Sequence, residues 1–186
     1  MRRNKFILAL SFCLAMGCLL GACTAIPKEA KSITGFDVNR YLGTWYEIAR
    51  LDNRFEKDLD NAVAQYSLDA NGNVSVRNSG YNYITEEWKH VDGTAKFRGD
   101  KQVADLEVSF FGPFYSGYNV LALDSNYQYA LVAGKSLDYL WILSREKDIP
   151  DSIKQAYLAL AKSVGYATDK LLWVKQNRDN PYVDGK

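Results

Sequence analysis

From residue 42 onward, apolar and polar residues alternate with a period of two, as in strands that bury one face. The strand-like segments are rich in β-branched and aromatic residues, and turn residues separate them at intervals of about 8–12 positions. They comprise residues 43–50, 62–68, 73–81, 87–90, 94–98, 103–111, 118–124, 127–133 and 139–145. Asn71-Gly72 and Asp92-Gly93 are typical of tight hairpin turns. This meander of about eight strands predicts a β-sandwich or an up-and-down β-barrel.

One late segment has a helical period instead. Its apolar residues recur on one helical face, and Pro150 and Gly165 suit its beginning and its end. These apolar residues are Ile153, Tyr157, Leu160, Ala161 and Val164. We expect a helix near residues 150–164 and a short strand at residues 171–174. The predicted fold is all-β: a closed, eight-stranded antiparallel up-and-down barrel with one C-terminal α-helix packed outside it.

The first 22 residues have the features of an export signal. Basic residues at positions 2, 3 and 5 precede an uncharged, mostly apolar stretch at residues 6–20, which is shorter than a typical membrane span. The run Leu20-Gly21-Ala22-Cys23 resembles the lipobox of bacterial lipoproteins. That resemblance implies cleavage before Cys23 and lipidation of its sulfur. In such lipoproteins an Asp after the cysteine favours the inner membrane, so Thr24 at that position favours the outer membrane. An ordinary secreted protein with a chance cysteine is the alternative.

Composition and charge narrow the classes of function. The 186 residues include 23 basic and 22 acidic side chains. The chain therefore lacks the excess of positive charge with which proteins bind nucleic acid. His90 is the only histidine, which excludes a metal site built on two histidines, and we expect no metal and no cofactor. Once the signal is removed, Cys23 is the remaining cysteine, so no intrachain disulfide is expected.

The mature chain is predicted to form one domain, because its length suits a single core. Residues 23–35 are small and polar enough to serve as a lipidated tether. Residues 36–175 are expected to form the barrel, and residues 176–186 a C-terminal tail.

The residues that carry a family resemblance lie at both ends of this predicted barrel. Residues 43–48, Gly-Thr-Trp-Tyr-Glu-Ile, resemble the Gly-x-Trp signature of lipocalins, and Ser144-Arg145 resembles the arginine that ends their eighth strand. Residues 40–50, 110–115 and 139–145 look like the bacterial subgroup of that family, whereas residues 121–124 depart from the family pattern. The resemblance implies an outer-membrane lipoprotein that binds fatty acids or (lyso)phospholipids, with its barrel facing the periplasm.

Three residues of these motifs have a structural interpretation. Gly43 permits a close approach where the chain closes the barrel floor. Trp45 can plug that floor, and Arg145 can lie over its ring as a cation–π pair. We interpret all three as structural residues, not as ligand contacts.

Strand alternation and the family pattern predict an interior that is aliphatic and aromatic, with a few phenols. Such a lining suits a long apolar chain with one polar end. The predicted ligand-binding residues are Ala62, Ala64, Val76, Ala95, Phe97, Leu106, Val108, Phe110, Tyr118, Val120, Val132, Tyr139, Trp141 and Leu143. We expect only about half of them to touch a ligand, because many inward side chains of a small barrel simply fill it. Arg50, Arg54 and Lys57, in or beside the first long loop, are candidates for a phosphate or carboxylate head group, although solvated loop charges are the more ordinary interpretation.

Three functions remain open at this stage. The first is a membrane-anchored protein that stores or transports fatty acids or (lyso)phospholipids and so supports membrane maintenance. The second is a non-binding structural lipoprotein of the envelope, whose barrel is filled by its own side chains. The third, a lipid-modifying enzyme, is disfavoured because the chain has no Gly-x-Ser-x-Gly motif and no thiol in the mature barrel. A homodimer is a further alternative that no residue pattern indicates or excludes.

Overall fold

The computed structural model describes residue 26 and residues 30–183 of the chain. The predicted export signal and the predicted lipidation site, Cys23, lie outside the described residues. The elements of the described part are α1 (Val38–Tyr41), β1 (Gly43–Leu51), β2 (Leu59–Leu68), β3 (Val74–Asn82), β4 (Glu87–Phe97), β5 (Asp105–Phe111), β6 (Phe114–Leu123), β7 (Tyr129–Ala133), β8 (Leu140–Ser144), α2 (Asp151–Ser163) and β9 (Leu171–Trp173). No helix within these residues is both long and apolar enough to cross a membrane.

Strand β1 closes the sheet into a barrel because it pairs with strands on both of its sides. It runs antiparallel to β2, with Trp45 opposite Ala64, and antiparallel to β8, with Tyr46 opposite Ser144. The strands from β2 to β8 pair in chain order. The predicted eight-stranded up-and-down barrel is therefore confirmed, and β9 joins β1 from outside it.

The up-and-down order sends the connecting loops alternately to the two ends of the barrel. We call the end where β1 begins the closed end, and α1 lies directly before it in the chain. The opposite end, which we call the mouth, carries the loops at residues 52–58, 83–86, 112–113 and 134–139.

Two hydrophobic clusters stabilise the barrel, one on each face of the sheet. The interior cluster contains Trp45, Val120 and Val132, which are completely buried. The outer cluster packs one face of α2, including Tyr157 and Ala161, against the outward side chains of β7 and β8. The helix expected near residues 150–164 is confirmed, as is its place outside the barrel. All residues of both clusters lie after residue 22. A chain of residues 23–186 therefore contains the hydrophobic cores that the barrel needs to fold.

The hairpin predicted at Asp92-Gly93 is wrong, because residues 87–97 form the single strand β4. The chain reverses earlier, in the loop at residues 83–86. Gly93 provides space for packing: a Cβ built there would lie 2.6 Å from the Phe110 ring and 2.6 Å from the Ser109 carbonyl oxygen. A glycine inside a strand marks a close approach of this kind. The other predicted hairpin is confirmed, and Gly72 in it has a φ of +77°.

The segment predicted as a tether makes backbone contacts at its end. The Ile33 N–H donates to the Val120 carbonyl at 2.9 Å, and the Ala104 N–H donates to the Ile33 carbonyl at 3.0 Å. Thr34 forms an isolated bridge with Val103. The backbone is therefore hydrogen-bonded to the barrel wall from Ile33 onward, and Ile26 and Ala30 before it pack against the outer cluster.

The predicted tail is also attached. Residues 174–182, which we call the C-terminal strap, bridge the seam between β1 and β2 in the mouth half of the barrel. Direct pairing of these strands ends at Tyr46 and Val63. Beyond that point the Gln176 side-chain amide donates to the Glu47 carbonyl at 2.9 Å and to the Ala62 carbonyl at 2.8 Å. The strap thus takes the place of strand pairing along half of this seam.

Candidate functional site

The closed end of the barrel is sealed around Trp45. The Arg145 guanidinium lies 3.9 Å from the centroid of the Trp45 ring, and its Nη1 donates to the Thr44 carbonyl at 2.8 Å. The Trp45 indole N–H donates to the Tyr41 carbonyl at 2.8 Å. Gly43 has a φ of +93°, and a Cβ there would lie 3.3 Å from Arg145 Nη1. The three motif residues therefore meet at one place, where they cap the interior.

Three tyrosines form a hydrogen-bonded group inside the barrel. The Tyr118 hydroxyl lies 2.8 Å from the Tyr41 hydroxyl and 2.9 Å from the Tyr66 hydroxyl. Burial raises the pKa of all three phenols, so they are neutral at physiological pH. Three O–H donors sharing two hydrogen bonds leave one donor free, which can serve an oxygen atom of a ligand.

The structure places the predicted lining residues on the inner face of the sheet, with a gradient of exposure. All of them except Ala62 and Tyr139 belong to the interior cluster or pack against it. The buried members are Ala64, Val76, Ala95, Leu106, Val120, Val132 and Leu143, and the half-buried members are Phe97, Val108, Phe110, Tyr118 and Trp141. Four of the half-buried side chains, those of Val108, Phe110, Tyr118 and Trp141, lie in β5, β6 and β8, so the inner wall is partly open to solvent. A wall of this kind can receive an apolar chain.

The two remaining lining candidates lie toward the mouth. Ala62 is buried on β2, and its carbonyl accepts a hydrogen bond from the C-terminal strap. Tyr139 is half-buried just before β8, and its ring stacks on that of Trp141 with the centroids 6.1 Å apart. Gly134 allows this placement, because a Cβ there would lie 2.4 Å from the Tyr139 Cβ.

A buried polar group, which the sequence analysis missed, lies below the mouth. A β-bulge between Glu47 and Ala49 turns both Glu47 and Arg50 inward, opposite Leu143 and Trp141 of β8. Arg50 Nη1 donates to the Glu47 carboxylate at 2.6 Å, and both side chains are almost fully buried. The spacing of three residues would place the two side chains on opposite faces of a regular strand. Nothing in the sequence indicates the bulge that brings them together.

The same polar group includes a second carboxylate. Glu56, in the loop between β1 and β2, accepts a hydrogen bond from the Trp141 indole N–H at 2.9 Å. Burial, with the neighbouring charge of Glu56, raises the pKa of Glu47, while Arg50 opposes the shift. The interior therefore has a polar region near the mouth above its aromatic floor.

The three cations expected near a head group have different surroundings. Arg50 is 1% exposed and donates to the carbonyls of Glu56 (2.8 Å) and Leu59 (2.9 Å), so it fastens the first loop instead of facing solvent. Arg54 and Lys57 are exposed, and the Arg54 guanidinium lies 4.7 Å from the Phe55 ring centroid. The interpretation of Arg50 as a solvated loop charge is therefore wrong, and a head-group role stays a prediction for Arg54 and Lys57.

Other features of the described chain lie away from the mouth. A cleft of ≈ 490 Å³ is lined by residues such as Thr44, Gln65 and Arg77, near the closed end. His90 packs against Tyr182 of the strap on the outer face, with the ring centroids 4.6 Å apart and the ring planes tilted by 45°. Within residues 26 and 30–183, no group of three or more His, Cys, Asp or Glu residues is placed to hold a metal ion.

Comparisons with known proteins agree with this architecture. A family model described as "Lipocalin-like domain" matches residues 36–176. The chain is 53% identical over 160 residues to "Outer membrane lipoprotein Blc" of Citrobacter freundii, covering 85% of this chain and 90% of that one. The protein of the same name from Escherichia coli K12 is 49% identical over 160 residues with the same coverage. Among solved structures, insecticyanin from the tobacco hornworm Manduca sexta has a TM-score of 0.66 at 20% identity, covering 86% of this chain and 91% of that one, which supports the fold alone.

Proposed function

Because this chain belongs to the lipocalin family, we propose that it binds acyl lipids inside its barrel and stores or carries them in the bacterial envelope. The proposed ligands are fatty acids and (lyso)phospholipids. The observation that carries the proposal is the half-buried inner wall at Val108, Phe110, Tyr118 and Trp141, above a floor that Trp45 closes. These side chains face inward and still reach solvent, as the walls of a ligand site do.

The polarity of the interior supports an amphiphilic ligand. The apolar wall can take an acyl chain. The free phenol donor of the tyrosine group offers a polar partner near the closed end, and the polar group around Glu56 offers others nearer the mouth. About 14 buried methylenes would contribute roughly 11 kcal/mol before the cost of association, which is about 4–15 kcal/mol. One methylene changes the affinity only about fourfold, so selectivity for chain length is expected to be poor.

The proposed location is the outer membrane, with lipid attached at Cys23 and the barrel facing the periplasm. The lipobox-like run before Cys23 supports this proposal, as does the likeness to proteins named outer membrane lipoproteins. A Cys23→Ala variant should be released from the membrane fraction when cells are disrupted. Retention of that variant in the membrane fraction would contradict the lipid anchor.

We propose that the chain acts by binding and not by catalysis. His90 lies on the outer face against Tyr182, away from the inner wall. The buried carboxylate of Glu47 is held by Arg50, which leaves it poorly placed to exchange protons with a ligand. Turnover of an added lipid that is lost on replacement of one interior residue would contradict this part of the proposal.

The test of lipid binding is native mass spectrometry of residues 23–186 carrying Cys23→Ala, purified gently and then delipidated. A bound fatty acid or lysophospholipid, released on denaturation and taken up again on addition, is the expected result. An Ala64→Trp variant should lose this binding because Ala64 faces inward on β2. Ser67→Trp, on the exposed face of the same strand, is the matched control and should bind normally. A folded, empty protein that rejects added acyl lipids would favour the structural role instead.

A further inference from the structure

Exposed apolar side chains concentrate on the loops of the mouth. Phe55 is 61% exposed, Ile84 is 68% exposed, and Phe111 and Phe114 are 69% and 78% exposed on either side of the turn between β5 and β6. Together with Tyr83, Tyr115 and Leu137 they form what we call the mouth rim. Among the large apolar side chains that are exposed in the described part of the chain, Leu68 and Trp173 lie elsewhere.

This distribution is not that of ordinary surface residues. Single exposed apolar side chains are normal on any protein. Apolar side chains gathered at the tips of four loops, all at one end, mark a surface that contacts another apolar phase or partner. The rim lies at the mouth, above the half-buried inner wall, so its occupant would cover that end of the barrel.

The charges between the rim side chains indicate what kind of surface fits. The loops of the mouth carry three basic and five acidic side chains, which alternate along the chain: Arg54, Lys57 and Lys135, and Asp52, Glu56, Asp58, Glu86 and Asp138. Because basic and acidic side chains alternate on these loops, the surface of the mouth is not complementary to a strongly charged partner. Aromatic rings beside charged groups are typical of proteins at the boundary between a lipid bilayer and water. There the apolar part of an aromatic side chain contacts lipid while its polar part contacts water.

The length of the N-terminal segment brings a bilayer within reach. Ten residues separate Cys23, the proposed anchor, from Ile33, whose N–H donates to the barrel wall. Ten extended residues span about 33–36 Å. The nine residues of β1 rise by about 30 Å. Within this segment Ile26 and Ala30 pack against the outer cluster, so these residues are held beside the barrel wall. A segment that is long enough to span the barrel and is held beside its wall allows the mouth to face the membrane to which the chain is anchored.

We propose that the mouth rim docks on the surface of a zwitterionic lipid bilayer, with the tips of its four loops in the interface. Four separate protruding tips around an opening suit a soft surface, which adapts to each tip. Docking would bring the entrance of the barrel against the bilayer, so an acyl chain could pass between them without crossing water. That last consequence rests on the proposed lipid-binding function, whereas the docking itself does not.

The test measures co-flotation of residues 23–186 carrying Cys23→Ala, delipidated, with phosphatidylcholine–phosphatidylethanolamine vesicles. Replacing Ile84 and Phe114 by Ser should weaken partitioning at least about tenfold, because both side chains enter the interface. Leu68→Ser with Trp173→Ser is the matched control, since it removes two exposed apolar side chains that lie outside the four loops of the rim. The control variant should partition as the parent does. It should do so in 1 M salt as well, because interactions between charges are then screened beyond about 3 Å and do not hold the protein on the vesicle. No partitioning of the parent, or an equal loss in both double variants, would overturn the proposal.

A single fluorophore separates a bilayer from a second copy of the chain. With Cys23 replaced and residues 1–22 absent, Phe114→Cys and Leu68→Cys each introduce one thiol for an environment-sensitive dye. Emission from position 114 should shift to the blue on addition of vesicles, and emission from position 68 should not. A blue shift at position 114 that needs no vesicles and grows with protein concentration would assign the rim to a dimer and overturn the proposal. A protein that takes up acyl lipid in the mass spectrometer and ignores vesicles would overturn docking alone.

Discussion

The Arg145 guanidinium lies 3.9 Å from the centroid of the Trp45 ring and thereby joins the end of β8 to the beginning of β1. The contact is reinforced by hydrogen bonds from Arg145 to the carbonyls of Thr44 (2.8 Å) and Arg40 (3.0 Å). The pair therefore acts at the point where the closed end is sealed. One face of the guanidinium plane lies on the Trp45 ring while its N–H groups donate to carbonyls, a combination that a lysine cannot reproduce.

Replacing Arg145 by Lys should lower the free energy of unfolding by about 2 kcal/mol, through loss of the stacked contact and of hydrogen bonds to carbonyls. Urea denaturation measures the difference. Arg54→Lys is the control, because Arg54 also lies over an aromatic ring but is exposed, and its effect should stay below about 0.5 kcal/mol. Equal stability of the two variants would show that the sealing contact contributes nothing.

Separating Glu47 from Arg50 should be costly. Glu47→Ala leaves the buried Arg50 without its carboxylate, and a broken buried ion pair costs about 3–5 kcal/mol. Glu47→Leu combined with Arg50→Met should recover much of that loss, because apolar residues of similar volume can replace such a pair. A double variant as unstable as the single one would mean that the hydrogen bonds of Arg50 to the first loop, and not its charge pairing, carry the stability.

Asp69 should make stability depend on pH in the acid range. Hydrogen bonds from the backbone of Asn73 and its neighbours lower the pKa of Asp69. The folded state thus binds the proton less tightly than the unfolded state, so this contribution is present above the ordinary aspartate pKa of about 4 and is lost as the pH falls through the folded value. The stability difference between the parent and Asp69→Asn should therefore shrink below about pH 4 in urea titrations. Glu146→Gln controls for the loss of one negative charge, and a difference that stays constant down to pH 2 would contradict the assignment.

Removing the C-terminal strap should open the seam between β1 and β2. A chain ending at residue 173 loses the two hydrogen bonds of Gln176 to Glu47 and Ala62 and two backbone hydrogen bonds that join residues 174 and 175 to β1 and β2. At about 1 kcal/mol for each of these four bonds, it should be less stable by at least about 4 kcal/mol. Hydrogen exchange should speed up at the mouth ends of β1 and β2 and not at Thr44 or Gln65, which pair directly. A chain ending at residue 183 is the control and should exchange as the full chain does. Uniformly faster exchange would indicate general unfolding instead of a local opening.

Periodicity predicted most of the fold, because regular elements follow it closely. The period of two located the strands, and the apolar face containing Tyr157 and Ala161 located α2. The short motifs around Trp45 and Arg145 predicted how the barrel is sealed, because each motif lies within a few consecutive residues of the sequence. Most of the predicted lining residues also face the interior, because alternation holds wherever a strand is regular.

Irregular backbone and distant contacts account for what the sequence could not predict. Gly93 was taken for a turn because the space that it leaves for Phe110, nearly twenty residues later, is visible only in three dimensions. The bulge after Glu47 changed the side to which Arg50 points. The strap was taken for a tail because Gln176 contacts strands that are more than 100 residues away.

The position of the strap also sets the order in which the protein can be completed. Strand β1 emerges first from any exporter, yet its partners in β8 and β9 and the bridging Gln176 lie about 95 to 130 residues later in the chain. Contacts of such long range form slowly, since the chain entropy of closing the loop is lost before they are made. A partly translocated chain is therefore an open, curved sheet with two unsatisfied edges, and only the last segment to arrive can close its wall. During that interval the two unpaired edges are the part of the sheet most prone to aggregation.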